Sequence, residues 1–265
     1  MPHAVNPVDA HTIHFDASAT EAPPVLLLHG SALSRSIWRG LGYVRALEPG
    51  FSTIRMDLRG HGRSGKPHEA SAYSMESMLG DVHAVLDATG HESVHIVGYS
   101  FGARVGLALA ARSPQKVRSL AMLGGTHAIE EGQLAALFFD GYLEVLKAGD
   151  MEGFIAGMEA GGGKLDPATR LAFASNDPLA LAAYFEATES GPGISEMLLQ
   201  QIHTPTLLMT GTRDSPRIEH SRIMADLMPD ARLVELPGRT HGGTLFPPEP
   251  ILDELLPFLR QHEGG

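Results

Sequence analysis

The chain has 265 residues, 43% of them hydrophobic and 19% charged, which supplies one sizeable apolar core and excludes a mostly disordered polypeptide. Lys and Arg number 20 against 31 Asp and Glu, a formal net charge of −11, so the surface repels phosphate backbones and a nucleic-acid partner is not expected. Cysteine is absent, which removes disulfides, thiolate metal sites and a cysteine nucleophile. No apolar run approaches the ~18–20 residues that cross a bilayer, and no membrane partner is expected. Met1 to Asp16 lacks a basic segment followed by an apolar one, so the expectation is a cytoplasmic globular protein without a signal peptide.

In chain order, short apolar runs predict strands at Val25–Leu28, Ser52–Asp57, Ser93–Gly98, Val117–Leu123, Thr206–Thr210 and Arg232–Leu236. Runs that are apolar on both faces suit central parallel strands. Between them lie segments with helical spacing. Met75 to Thr89 puts Met75, Met78, Leu79, Val82, Val85 and Leu86 on one stripe. Arg104–Arg112 is Ala- and Leu-rich and stops before Pro114; Arg217–Met228 stops before Pro229; Glu249–Gln261 closes the pattern. Alternation of this kind predicts an α/β protein with a mostly parallel sheet.

Residues 128–200 break the alternation. Helical patterns occupy Leu134–Leu146, Met151–Met158 and Leu179–Ala187, interrupted by Gly161-Gly162-Gly163 and Gly191-Pro192-Gly193. The expected organisation is therefore a core of 1–127 and 201–265 with a helical cap at 128–200.

The chemistry is carried by Gly98-Tyr99-Ser100-Phe101-Gly102, a Gly-x-Ser-x-Gly pattern between a predicted strand and a predicted helix. A sharp turn there lifts the Ser100 side chain clear of the backbone, and glycine on both sides lets strand and helix approach. A serine hydroxyl needs a base. Of the 14 histidines, His241 is the best placed, in a loop after the last predicted strand. Asp214 follows the strand Thr206–Thr210 and can orient it. Serine, aspartate and histidine thus occur in one order, each beyond a strand's C-terminal end, where ligands bind in such sheets. Glu130 is a second carboxylate candidate. After Val25–Leu28, His29-Gly30-Ser31 can aim the Ser31 N–H at the site, where it and the Phe101 N–H would cradle a developing oxyanion. His29 is read as holding that loop. Gly60-His61-Gly62-Arg63-Ser64-Gly65 fits Gly-x-Gly-x-x-Gly, but Pro67 and the polar stretch after it deny the helix that would bind a pyrophosphate, so the turn is read as structural. His91 and His95 do not share a helix face, and no metal site is read.

These residues, with Asp57-Leu58-Arg59-Gly60-His61-Gly62-Arg63-Ser64, resemble the α/β-hydrolase fold superfamily over nearly the whole chain. The resemblance implies an eight-stranded sheet, a Ser-His-Asp triad and no cofactor. Serine at the elbow argues against dehalogenases and epoxide hydrolases, which use aspartate there. The expected function is a serine hydrolase that cleaves an ester or lactone of a small, mostly apolar molecule, its only expected partner. Alternatives are a carbon–carbon bond hydrolase on the same triad, for which Arg104, Lys147, Lys164 and Arg170 are available bases, and a non-catalytic receptor or scaffold. Expected pocket walls are Trp38, Phe138, Phe139, Tyr142 and Tyr184, with Phe154 and Phe185 as further cap aromatics. The oligomeric state is left open.

Overall fold

The computed structural model describes residues 2–130, 132–162 and 164–263. The predicted apolar runs become the centre of one eight-stranded sheet. Its strands are β1 (His3–Val5), β2 (Thr12–Ala17), β3 (Pro24–Leu28), β4 (Ser52–Met56), β5 (Val94–Tyr99), β6 (Val117–Leu123), β7 (Thr206–Gly211) and β8 (Ala231–Leu236), in the order β1-β2-β4-β3-β5-β6-β7-β8. From β4 to β8 all neighbours are parallel, whereas β1–β2 and β2–β4 are antiparallel. Every residue of β3, β4, β5 and β7 is buried, as helices on both faces require. Strands β1 and β2 have no counterpart among the predicted strands. Only Ile13 and Phe15 of β2 reach the core, so its signal is a short alternation rather than an apolar run.

The helices are α1 (Ser36–Gly40), α2 (Tyr43–Leu47), α3 (Met75–Thr89), α4 (Phe101–Arg112), α5 (Gln133–Leu137), α6 (Tyr142–Lys147), α7 (Met151–Gly162), α8 (Pro167–Ala174), α9 (Pro178–Ser190), α10 (Glu196–Leu199), α11 (Arg217–Leu227) and α12 (Glu249–Gln261). Helix α3 begins where Ser74 accepts the Ser77 N–H at 3.1 Å and ends at Gly90, whose φ of 71° suits a left-handed C-terminal residue. In α9, Asp177 accepts the Leu179 and Ala180 amides and Pro178 fills the first turn.

Between β6 and β7 the described residues form helices α5 to α10 and no strand. The expected helix Leu134–Leu146 is two short ones, because Gly141, with φ 83°, turns the chain between them. Helix α7 continues through Gly161 and Gly162 instead of stopping there, and Gly163 lies outside the described residues. Phe154, Tyr184 and Phe185 are completely buried, and Phe138, Tyr142, Phe154 and Phe185 pack ring against ring with centroids 5.1–5.5 Å apart. These helices therefore carry an aromatic core of their own.

The Gly60–Gly65 turn leads into no helix and serves the fold. Its neighbour Arg59 is fully buried, donating to both carboxylate oxygens of Asp81 at 2.9 and 2.6 Å and also pairing with Asp9. Removing one partner of such a pair strands a buried charge, which costs ~3–5 kcal/mol. Asp81→Ala should therefore lower the unfolding free energy by about 3 kcal/mol, Asp9 retaining part of the pairing. Denaturant titration checks this, and a loss below about 1 kcal/mol would show that the pair does not hold the turn.

Candidate active site

Strand β5 and helix α4 meet at Ser100, whose backbone is forced to φ 53°, a left-handed conformation rare outside glycine. The turn is tight enough that a Cβ on Gly98 would lie 2.6 Å from the Ala103 backbone, and one on Gly102 would lie 2.2 Å from the Leu28 carbonyl oxygen. Both glycines of the motif are thus required by close approach of strand and helix. The Ser100 N–H donates to the Leu123 carbonyl at 2.9 Å, which anchors the turn to β6.

Asp214 and His241 arrive from the ends of β7 and β8. His241 Nε2 lies 3.0 Å from Ser100 Oγ, and its Nδ1 lies 2.8 Å from Asp214 Oδ2. An ionised carboxylate only accepts, so the consistent tautomer has Nδ1–H donating to Asp214 and Nε2 accepting from the Ser100 hydroxyl. The imidazole stacks on the Tyr99 ring with centroids 5.1 Å apart, and the Tyr99 hydroxyl donates to the His241 carbonyl at 3.2 Å. Asp214 is buried, and its other oxygen accepts from Arg217 Nη1 at 3.3 Å. Glu130, the second carboxylate candidate, instead faces His220 Nε2 at 3.0 Å.

The loop after β3 is held from three sides. His29 Nδ1–H donates to the Gly30 carbonyl at 2.8 Å while its Nε2 accepts the Leu58 N–H at 3.0 Å. His61 Nε2 accepts the Ala32 N–H at 3.0 Å, and its Nδ1–H donates to the Arg59 carbonyl. Burial pushes His61 down to about 3, so it stays neutral and able to accept. Asn176, just past α8, donates to the Ala32 carbonyl at 2.6 Å and accepts the Gly62 N–H at 2.9 Å. Tyr184 of α9 adds a hydroxyl contact to Ser31 Oγ at 2.7 Å and sets its ring edge-on to Phe101. Asn176 and Tyr184 thus tie the helical segment to the loop carrying Ser31.

A chamber of about 20 Å³ opens beside Ser100, lined by Ser31, Phe101, Arg104, Gln133, Tyr184 and Arg217 among others. Of the expected wall residues only Tyr184 is there. Trp38 is fully buried and packs edge-on against Tyr43 at 5.2 Å, so it belongs to the core. Phe138, Phe139 and Tyr142 do not line the chamber: Phe138 and Tyr142 sit in the aromatic cluster, and Phe139 packs on Phe154. The wall sets the cationic Arg104 and Arg217 and the polar Ser31 and Gln133 among the apolar Phe101, Ile129 and Leu134. Lys147 and Arg170 pair with Glu186 and Glu152 at the surface, and Lys164 is exposed. Arg104 alone of the four bases reaches the site; Arg217 was missed, because a helix-start arginine near a loop aspartate carries no motif.

A family model for the alpha/beta hydrolase fold matches residues 23–152, which hold β3 to β6 and the elbow, and the eight-stranded, mostly parallel sheet has the order of that fold. The chain belongs to the α/β-hydrolase fold superfamily. A protein of Azorhizobium caulinodans named for carbamate hydrolysis is 28% identical over 248 residues, 89% of this chain and 90% of that one. Epoxide hydrolase B of Mycobacterium tuberculosis is 35% identical over 107 residues, 40% of this chain and 30% of that one. Among solved structures, a hydrolase from Pseudomonas aeruginosa superposes with a TM-score of 0.83 at 26% identity, covering 97% of both chains. The enol-lactonase from Burkholderia xenovorans superposes with a TM-score of 0.82 at 23% identity, over 98% of this chain and 100% of that one, a likeness of fold alone. These relatives make this α/β-hydrolase chain a member of a family of hydrolases.

In this α/β-hydrolase, burial and the nearby Arg217 cation hold the His241 imidazolium below its ordinary value of ~6.5, against the opposing pull of Asp214. His241 should therefore be neutral at pH 7 and titrate below ~6.5. Replacing Arg217 with Met removes one depressing charge and should move the titration upward. The histidine C–H resonances followed by NMR against pH check both; a His241 midpoint above ~7 in the unaltered protein would contradict the assignment.

Proposed function

We propose that the protein is a serine hydrolase that cleaves an ester or lactone of a small molecule through an acyl-enzyme. The observation that carries the reading is the unbroken chain from Ser100 Oγ to His241 to Asp214, at 3.0 and 2.8 Å, with the serine raised on a strained turn. Ser100 attacks the carbonyl carbon as His241 Nε2 takes the hydroxyl proton. Asp214 keeps the imidazole in the useful tautomer and stabilises the imidazolium. The Ser31 and Phe101 amides are the oxyanion donors, and among the described residues neither meets another acceptor. His241 then delivers its proton to the leaving alcohol. In the second half a water attacks the acyl-enzyme with His241 as base, and Ser100 is regenerated. The helical segment acts as a lid, positioned by Tyr184 and Asn176 rather than by its aromatic cluster.

A fluorophosphonate should add once, at Ser100, as read by intact mass and peptide mapping. Labelling that persists in Ser100→Ala would overturn the assignment. Asp214→Asn should keep the fold and lower kcat on the order of 10⁴-fold, because it favours the wrong tautomer. Near-normal turnover would mean that another carboxylate serves.

The aromatic cluster separates packing from selectivity. Phe154→Ala should cost ~3–5 kcal/mol of stability, as loss of a buried phenylalanine does, with little change in the ratio of rates on short and long acyl esters. A melt and paired ester assays check this. A shifted chain-length preference at unchanged stability would place Phe154 in the pocket after all.

A further inference from the structure

Arg104 sits one helical turn after Ser100 and is buried, with 8% of the residue exposed. Its Nη1 has no hydrogen-bond partner, and among the described residues no carboxylate pairs with it. The Phe101 ring lies 5.8 Å from the guanidinium carbon, and the charged groups that act on it are the Tyr184 hydroxyl and the like charge of Arg217. A buried, unpaired guanidinium is costly to retain for structure alone. Burial pushes Arg104 down to about 10, which leaves it cationic at neutral pH. The position decides its use. Arg104, Phe101 and Thr188 line both the chamber beside Ser100 and a neighbouring groove of about 490 Å³. Arg217, the other cation of the chamber, is already engaged by Asp214.

We propose that Arg104 is a carboxylate anchor, so that the substrates of this site are esters or lactones whose acyl half carries a carboxylate a few bonds from the reacting carbonyl. The inference rests on the serine-hydrolase reading above. A planar guanidinium fork matches a carboxylate with two parallel hydrogen bonds. The acyl half is assigned because His241, which must protonate the leaving group, is not among the described lining residues of the chamber, whereas Ser100, Phe101 and Arg104 are. One turn of helix, ~5.4 Å of rise, separates the nucleophile from the anchor, so a short acyl linker spans the two. The chamber of about 20 Å³ holds little beyond the reacting group, and the remainder of the molecule extends past Arg104 into the groove.

Mono-p-nitrophenyl glutarate and p-nitrophenyl pentanoate differ only in a terminal carboxylate against a methyl. The unaltered enzyme should favour the glutarate ester in kcat/KM, and Arg104→Gln should lower the glutarate-to-pentanoate ratio about 100-fold, chiefly through KM. Arg104→Lys, which keeps the charge but not the fork, should fall between. Free glutarate should slow fluorophosphonate labelling of Ser100 in the unaltered protein and lose that protection in Arg104→Gln. A melt confirms that each variant is folded; should Arg104→Gln not fold, the lysine variant and the glutarate protection of the unaltered protein carry the decision. Ser100 labelled, both esters cleaved without preference and no protection by glutarate would overturn the anchor and leave the serine hydrolase standing. Failure of the fluorophosphonate to label Ser100, with neither ester cleaved, would overturn the underlying reading instead.

Discussion

The sharp turn at Ser100 sets the terms for the rest of the molecule. A non-glycine residue at φ 53° persists only where its surroundings leave no alternative. Here Leu123 takes its amide hydrogen, and the Gly98 and Gly102 positions let α4 approach β5 and β3 more closely than any side chain would permit. That approach requires a parallel sheet whose C-terminal ends lie side by side. Once β3, β5, β7 and β8 are in that register, Ser31, Ser100, Asp214 and His241 converge without being near one another in the chain. The buried neutral histidines His29 and His61 then fix the remaining loop through hydrogen bonds that a protonated ring could not accept.

The site combines two opposing electrostatic environments. The formal charge of the chain is −11, yet two guanidiniums share the chamber beside Ser100. Arg217 is compensated by Asp214, and it adds to burial in holding the His241 imidazolium below its ordinary range. Arg104 has no such compensation, and in a site withdrawn from water an unpaired charge attracts an anion more strongly than the same charge at the surface. The acidic exterior therefore does not exclude an anionic substrate; a local field close to the nucleophile decides the interaction.

Much of this arrangement was legible in the sequence because it rests on local constraints. The central strands are apolar on both faces, and the elbow is a five-residue pattern with a strand before it and a helix after it. Ser100, Asp214 and His241 follow from that order. The antiparallel strands β1 and β2 were not legible, since one buried face of a short strand leaves only Ala4 in β1 and Ile13 and Phe15 in β2 as signal. Trp38 was misread because proximity to the loop in sequence does not reveal that its ring turns into the core against Tyr43. The cap aromatics were misread for the converse reason: Phe138, Tyr142, Phe154 and Phe185 are more useful to one another than to a cavity. Arg104 was visible only as one base among four, and Asn176 and Arg217 not at all, because their importance comes from partners distant in the chain or from the absence of one.

The proposed mechanism requires that Ser100 become covalently acylated during turnover. Rapid mixing of the enzyme with mono-p-nitrophenyl glutarate, followed by acid quench within the first turnover and peptide mapping, tests it most directly. An acyl group is expected on the peptide containing Ser100, at the hydroxyl of that residue. An ester cleaved at full rate by Ser100→Ala, or an acyl group found on another residue, would contradict it.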